Sequence, residues 1–212
     1  MFRYIRDPAK IYQMSFAAAR AETDLDRFPA AEADVVVRLV HACGEPAIAR
    51  DLAGGGDWLE RGRAALLAGA PVLVDAHMVA AGIKRHRLPQ ANPVICTLDD
   101  DRVPKLAALL VNTRSAAAVE LWRPRVEGAV VAIGNAPTAL FRLLEGLAEG
   151  WPRPAVILAF PVGFVGAAES KSALIGTARG VPYLTLKGRR GGSALAAAAV
   201  NALARPDKGE SP

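Results

Sequence analysis

Short apolar runs closed by Gly, Asp or Pro punctuate the second two thirds of this chain. They are Val72-Leu73-Val74, then 94–97, 129–133, 155–160 and 181–186. Such runs show little alternation of apolar and polar positions, which is the pattern of strands buried on both faces. Alanine-rich stretches with helical spacing follow at about 105–122, 137–149, 167–178 and 193–204. The alternation predicts an α/β fold: a three-layer, mostly parallel, five-stranded sheet with helices on both faces.

The first 70 residues carry no obvious strand and read as a helical N-terminal region. Asp7-Pro8 is a start signal, an N-cap followed by proline in the first helical turn, and predicts a helix near 8–20. A second helix is expected at about 30–42, closed near Gly44. Gly54-Gly55-Gly56 breaks the chain before a third at 57–68. Residues 1–205 read as one domain and 206–212 as a polar tail.

Composition narrows the class. The 212 residues are 52% hydrophobic and 22% charged, which excludes a disordered chain. No apolar run approaches the roughly 18 residues of a membrane helix, and the start lacks a signal-peptide pattern. Two cysteines make neither a disulfide framework nor a zinc quartet. The expectation is a reduced, cytoplasmic protein without a membrane partner. The net charge of +5 is unevenly placed: residues 1–127 hold 17 Lys and Arg against 16 Asp and Glu, and 128–212 hold 9 against 5. The surplus suggests an anionic partner. Dispersed basic residues and 6% aromatics argue against nucleic acid.

Three strand-to-helix loops, at 134–138, 161–166 and 187–193, stand where open α/β sheets bind ligands. Their glycines and free helix N-termini make candidate anion cradles; tight turns alone would also explain the glycines. A P-loop is not among them, because Ser170 and Val165 stand where its two glycines belong. Neither a dinucleotide fingerprint nor a nucleophile elbow is present. His41, His77 and His86 lack compact metal spacing, so neither a metal nor a cofactor is expected.

His41 is the most informative titratable residue. It falls in the last turn of the predicted second helix, where the helix dipole favours imidazolium and suits a proton donor. Arg38, three residues earlier, shares its face and could bind a carboxylate. A histidine that merely caps its own helix is the simpler reading of these residues taken alone.

The segments DPAKIYQMSF (7–16), VRLVHACG (37–44), PVLVDAHMV (71–79), NTRSA (112–116), VAIGNAPTAL (131–140), PVGFVGAAESKSA (161–173) and LKGRRGGSA (186–194) resemble, in this order, the precorrin-8X methylmutase family. The resemblance implies a flavodoxin-like sheet, a homodimer with its site near the subunit interface, and an isomerase of cobalamin biosynthesis. That reaction moves a methyl group from carbon 11 to carbon 12 of precorrin-8X and gives hydrogenobyrinate, without a methyl donor. The family's catalytic histidine falls on His41, as general acid. Ser15, Arg38 and Arg114 become substrate contacts, Asn135 and Gly163 are further expected substrate contacts from their loop positions, and Lys84 and Arg85 are expected to reach a carboxylate arm. His77 departs from the family pattern and receives no role. Cobalt-precorrin-8 as substrate, or a corrinoid carrier without catalysis, are the alternative readings.

Overall fold

The computed structural model describes residues 2–178 and 180–204; the expected polar tail at 206–212 lies outside the described residues. The sheet has six strands, one more than the apolar runs predict. They are β1 (Leu52–Gly55), β2 (Val72–Val74), β3 (Val94–Cys96), β4 (Val130–Ile133), β5 (Val156–Ala159) and β6 (Tyr183–Leu186). Their order is β1-β6-β5-β4-β2-β3. Five are parallel, and β1 joins β6 antiparallel, with Leu52 opposite Leu186 and Gly55 opposite Tyr183.

The N-terminal region is therefore not wholly helical. Leu-Ala-Gly-Gly has poor strand propensity, and the ladder with β6 rather than local preference makes it a strand. Its glycines are required by close approach: a Cβ on Gly55 would lie 2.4 Å from the Tyr183 ring, and one on Gly54 2.7 Å from Trp58.

Strand periodicity divides the core in two. Val72, Val74, Val130, Ala132, Val156 and Leu158 face one cluster. It is completed by α2 (Ala30–Cys43), α3 (Trp58–Leu67), α4 (His77–Gly82) and α9 (Ser193–Leu203). Leu73, Val131, Ile133, Ile157 and Ala159 face the other, against α6 (Arg114–Glu120), α7 (Pro137–Ala148) and α8 (Ala167–Thr177). This is the expected three-layer arrangement.

The predicted helix at 105–122 is two helices, α5 (Val103–Leu110) and α6. Val111 turns left-handed at φ +47°, uncommon for a β-branched residue. Asn112 Oδ1 accepts the Thr113 N–H at 2.7 Å, and Thr113 Oγ1 caps α6 by accepting from Ala116 N–H at 3.1 Å. Two turn-forming side chains thus override the apolar period around them. The short α4, which carries no sequence signal, is a second difference.

The first helix, α1 (Pro8–Glu22), starts as expected: Asp7 Oδ1 accepts from Ala9 N–H at 2.9 Å. It has no buried residue and rests on α2 as an outer layer. The second ends on Gly44, left-handed at φ +69°, whose N–H bonds Val40 C=O at 2.7 Å.

Candidate functional site

Gly44 stops α2 with His41 in its last turn, exposed to solvent and facing α1. There Ser15 Oγ lies 2.9 Å from His41 Nδ1. The Phe16 ring stacks on the imidazole, with centroids 4.5 Å apart. Arg38, one turn before His41, places its guanidinium 5.1 Å from the Phe16 centroid, and its Nη1 donates to Tyr12 Oη at 3.2 Å. Tyr12, Ser15 and Phe16 recur at helical spacing, so a single face of α1 supplies all three.

Tyr12, Phe16, Arg38 and His41 border a cleft of about 320 Å³, whose other walls come from Gly82, Lys84, Arg87, Ala194, Ala197, Ala198 and Asn201, with Ser15 reaching it through His41. Asn201 fixes one edge: its Oδ1 accepts the Lys84 N–H at 2.8 Å and its Nδ2 donates to Gly82 C=O at 2.9 Å. At Gly82 a Cβ would lie 2.7 Å from that of Ala197, so α4 and α9 touch through the smallest side chains available.

The cleft is cationic, with Arg38, Lys84 and Arg87 around His41. Arg38 Nη2 is buried and has no hydrogen-bond partner among the described residues. A buried guanidinium nitrogen left unpaired is costly, and a carboxylate entering the cleft would satisfy it. The arrangement offers a ring nitrogen for proton transfer, a fixed anion receptor beside it and an aromatic floor.

The structure brings together Ser15, Arg38, His41 and Lys84 of the expected site residues. Arg85, Arg114, Asn135 and Gly163 do not line this cleft. Arg87 lines it instead of Arg85, because the segment Arg85–Arg87 is a 3-10 turn. Arg114 donates to Asp99 Oδ1 at 3.2 Å, and Asp99 Oδ2 lies 2.8 Å from His77 Nε2.

Asn135 belongs to a loop whose anion cradle is already filled, contrary to expectation. Asp75, at the end of β2, accepts the backbone N–H groups of Gly134, Asn135 and Ala136 at 2.8, 2.9 and 2.7 Å. Its carboxylate is 3% exposed. Burial raises its pKa above the ordinary aspartate range, and the three N–H groups oppose that rise. An aspartate directly after a wholly apolar strand is the one sign of this role that the sequence carries. The 187–193 loop is similarly committed, since Arg190 pairs with Glu45 and Asp51.

A larger groove of about 840 Å³ opens at the opposite, amino-terminal ends of the strands. Among the described residues its charges, Asp57, Arg61, Glu127 and Arg153, balance, and its lining has neither histidine nor serine. Among the described residues no three His, Cys, Asp or Glu gather as a metal site would require, and no helix is long and apolar enough to cross a membrane.

A family model described as precorrin-8X methylmutase matches residues 10–206. The chain is 60% identical over 205 residues to a Precorrin-8X methylmutase of Sinorhizobium sp, covering 97% of this chain and 98% of that one. A Cobalt-precorrin-8 methylmutase of Methanothermobacter thermautotrophicus is 36% identical over 180 residues, covering 85% and 83%. Among solved structures, the precorrin-8x methyl mutase of Thermus thermophilus superposes with a TM-score of 0.83 at 37% identity, covering 92% and 94%.

Proposed function

The chain belongs to the precorrin-8X methylmutase family and is an isomerase of cobalamin biosynthesis, and we propose that His41 promotes its methyl shift as a general acid. The observation that carries this reading is the Ser15–His41 hydrogen bond at the mouth of a cationic cleft. In the charged ring Nδ1–H donates to Ser15 Oγ, which leaves Nε2–H as the mobile proton. Nε2 lends it to the macrocycle of precorrin-8X, the bond from carbon 11 to the methyl group breaks, and the bond to carbon 12 forms. The proton returns as hydrogenobyrinate leaves, so reactant and product stay isomers. Holding the ring system in a reactive shape and stabilising its protonated form supply the acceleration.

The substrate's acetate and propionate arms give the arginines their task. Arg38 takes one arm through its unpartnered Nη2, and Lys84 takes a second. Arg85 and Arg114 are assigned to arms that extend past the cleft; the backbone N–H groups of Asn135 and Gly163 are taken by Asp75 and by Arg189 C=O, so those two residues border the substrate without holding an arm through the backbone. Bidentate guanidinium pairing suits such carboxylates. The relatives at 60% and 59% identity are both named for precorrin-8X, which supports the metal-free substrate over its cobalt form.

Three finer readings accompany this one. The strand order β3-β2-β4-β5-β6 supports a flavodoxin-like arrangement. The unburied α1, with Ile11 and Met14 exposed near Ser15, supports a homodimer that covers the site, which sedimentation tests. A cytoplasmic location follows from the biosynthetic role.

The decisive assay mixes the purified protein with precorrin-8X and follows the visible spectrum for hydrogenobyrinate. His41→Ala is expected to lower kcat at least ~100-fold while still binding the pigment. Conversion by that variant at the wild-type rate overturns the role of His41. Binding without conversion by the unaltered protein identifies a carrier, and a parallel cobalt-precorrin-8 reaction separates the two substrates.

A further inference from the structure

Lys171, on α8, is 0% exposed. Burying an ammonium is expensive unless something requires it. Its Nζ donates to Arg190 C=O at 2.6 Å, and burial, reinforced by the charge of Arg190, pushes its pKa down to about 8. Neither residue lines the cleft. Arg190 reaches away from Lys171 to pair with Glu45 and Asp51. Glu45 directly follows Gly44, the residue that closes α2, and stands four positions after His41.

The loop carrying Arg190 has little freedom elsewhere. Gly192 N–H bonds Phe160 C=O at 2.7 Å, and Lys187 N–H bonds Asp51 C=O at 2.9 Å. A Cβ on Gly191 would fall 2.3 Å from the Phe160 carbonyl oxygen. A continuous path of contacts thus runs from the interior of α8, through the loop, to Glu45, the residue that follows the Gly44 cap of α2.

Stability alone does not account for this path. Half-exposed ion pairs such as Arg190–Glu45 contribute little, and an apolar side chain as long as lysine would fill the α8 position without a desolvation penalty. A methionine there could not hold the Arg190 carbonyl, and through it the direction of the Arg190 side chain. We propose that Lys171 and Arg190 are positioning residues: Lys171 orients the loop, and Arg190 anchors the end of α2 so that His41 meets the cleft at a fixed angle. This rests on His41 being the proton donor.

The test uses Lys171→Met and Arg190→Gln in the full chain, checked for folding by circular dichroism. Both are expected to lower kcat for precorrin-8X by ~10- to 100-fold, with KM within about threefold. Arg190→Lys, which keeps a cation between Glu45 and Asp51, recovers part of the loss. The double variant loses no more than the worse single one, because both act through one path. In the substrate-free protein, the NMR signals of the His41 ring move in both single variants.

Folded variants with wild-type kcat and unmoved His41 signals overturn the proposal, as do losses that add independently or appear only in KM. If Lys171→Met does not fold, Arg190→Gln and Glu45→Gln decide the matter at half-exposed positions. If His41→Ala retains full turnover, the proton-donor reading fails by itself, and the His41 signals still judge the anchoring.

Discussion

Ser15 Oγ and His41 Nδ1 lie 2.9 Å apart across 26 residues of sequence. The contact joins a helix without buried residues to one with six, so an outer element of the fold holds the orientation of the His41 ring. Ser15→Ala leaves that ring stacked on Phe16 but free to rotate. Its kcat is expected to fall by ~10-fold while the affinity for hydrogenobyrinate, read by absorbance titration, stays within a few-fold. An unchanged kcat refutes the orienting role.

Arg38→Met keeps a long side chain against Phe16 and removes the unpartnered Nη2. A charge-assisted hydrogen bond contributes roughly 1.5–3 kcal/mol, so hydrogenobyrinate affinity is expected to drop at least ~10-fold. Titration against a fixed protein concentration measures this. Equal affinity in the two proteins removes Arg38 from the carboxylate contacts.

Asp75→Asn replaces a carboxylate that accepts three backbone N–H groups by an amide whose NH₂ faces donors. Loss of about 1–3 kcal/mol of unfolding free energy is expected, read from urea denaturation. A variant as stable as the parent shows that the 134–136 loop does not depend on this carboxylate.

The buried ammonium gives stability a distinct dependence on pH. Folded Lys171 titrates at about 8 against an ordinary 10.5. Between those values the unfolded chain binds more protons, so unfolding free energy rises with pH. Relative to Lys171→Met, the parent should gain stability from pH 8 to 10.5 and lose it again as pH falls back through 8. Parallel chemical denaturation at stepped pH checks the difference; parallel curves contradict it.

What could be read in advance depended on how local the cause was. The five parallel strands announced themselves because burial on both faces forces continuous apolar runs. The end of α2 was visible because Gly44 is a local terminator, and that placed His41. The edge strand β1 was invisible, since its pairing with β6 comes from 130 residues away. The same holds for Asp75, whose partners are about 60 residues distant, and for Lys171, whose partner is a carbonyl of a different loop. Arg87 was missed in favour of Arg85 because the turn that directs one side chain inward has no signature among consecutive basic residues. Ser15 came from resemblance; its link to His41 depends on how two amphipathic helices cross.

The alanines of α9 have a consequence for adaptation. Ala194, Ala197 and Ala198 form one wall of the cleft with side chains of a single carbon, while buried neighbours such as Leu195 and Val200 anchor the same helix in the core. Ala197 belongs to both wall and core, and Ala198 packs against the core, whereas Ala194 is exposed. Exchange of Ala194 for valine or leucine advances the wall and leaves the core in place. On the proposed reading of the cleft as the substrate site, the start of this helix sets the width of the molecule admitted, and lineages or engineers can reset it one methyl group at a time.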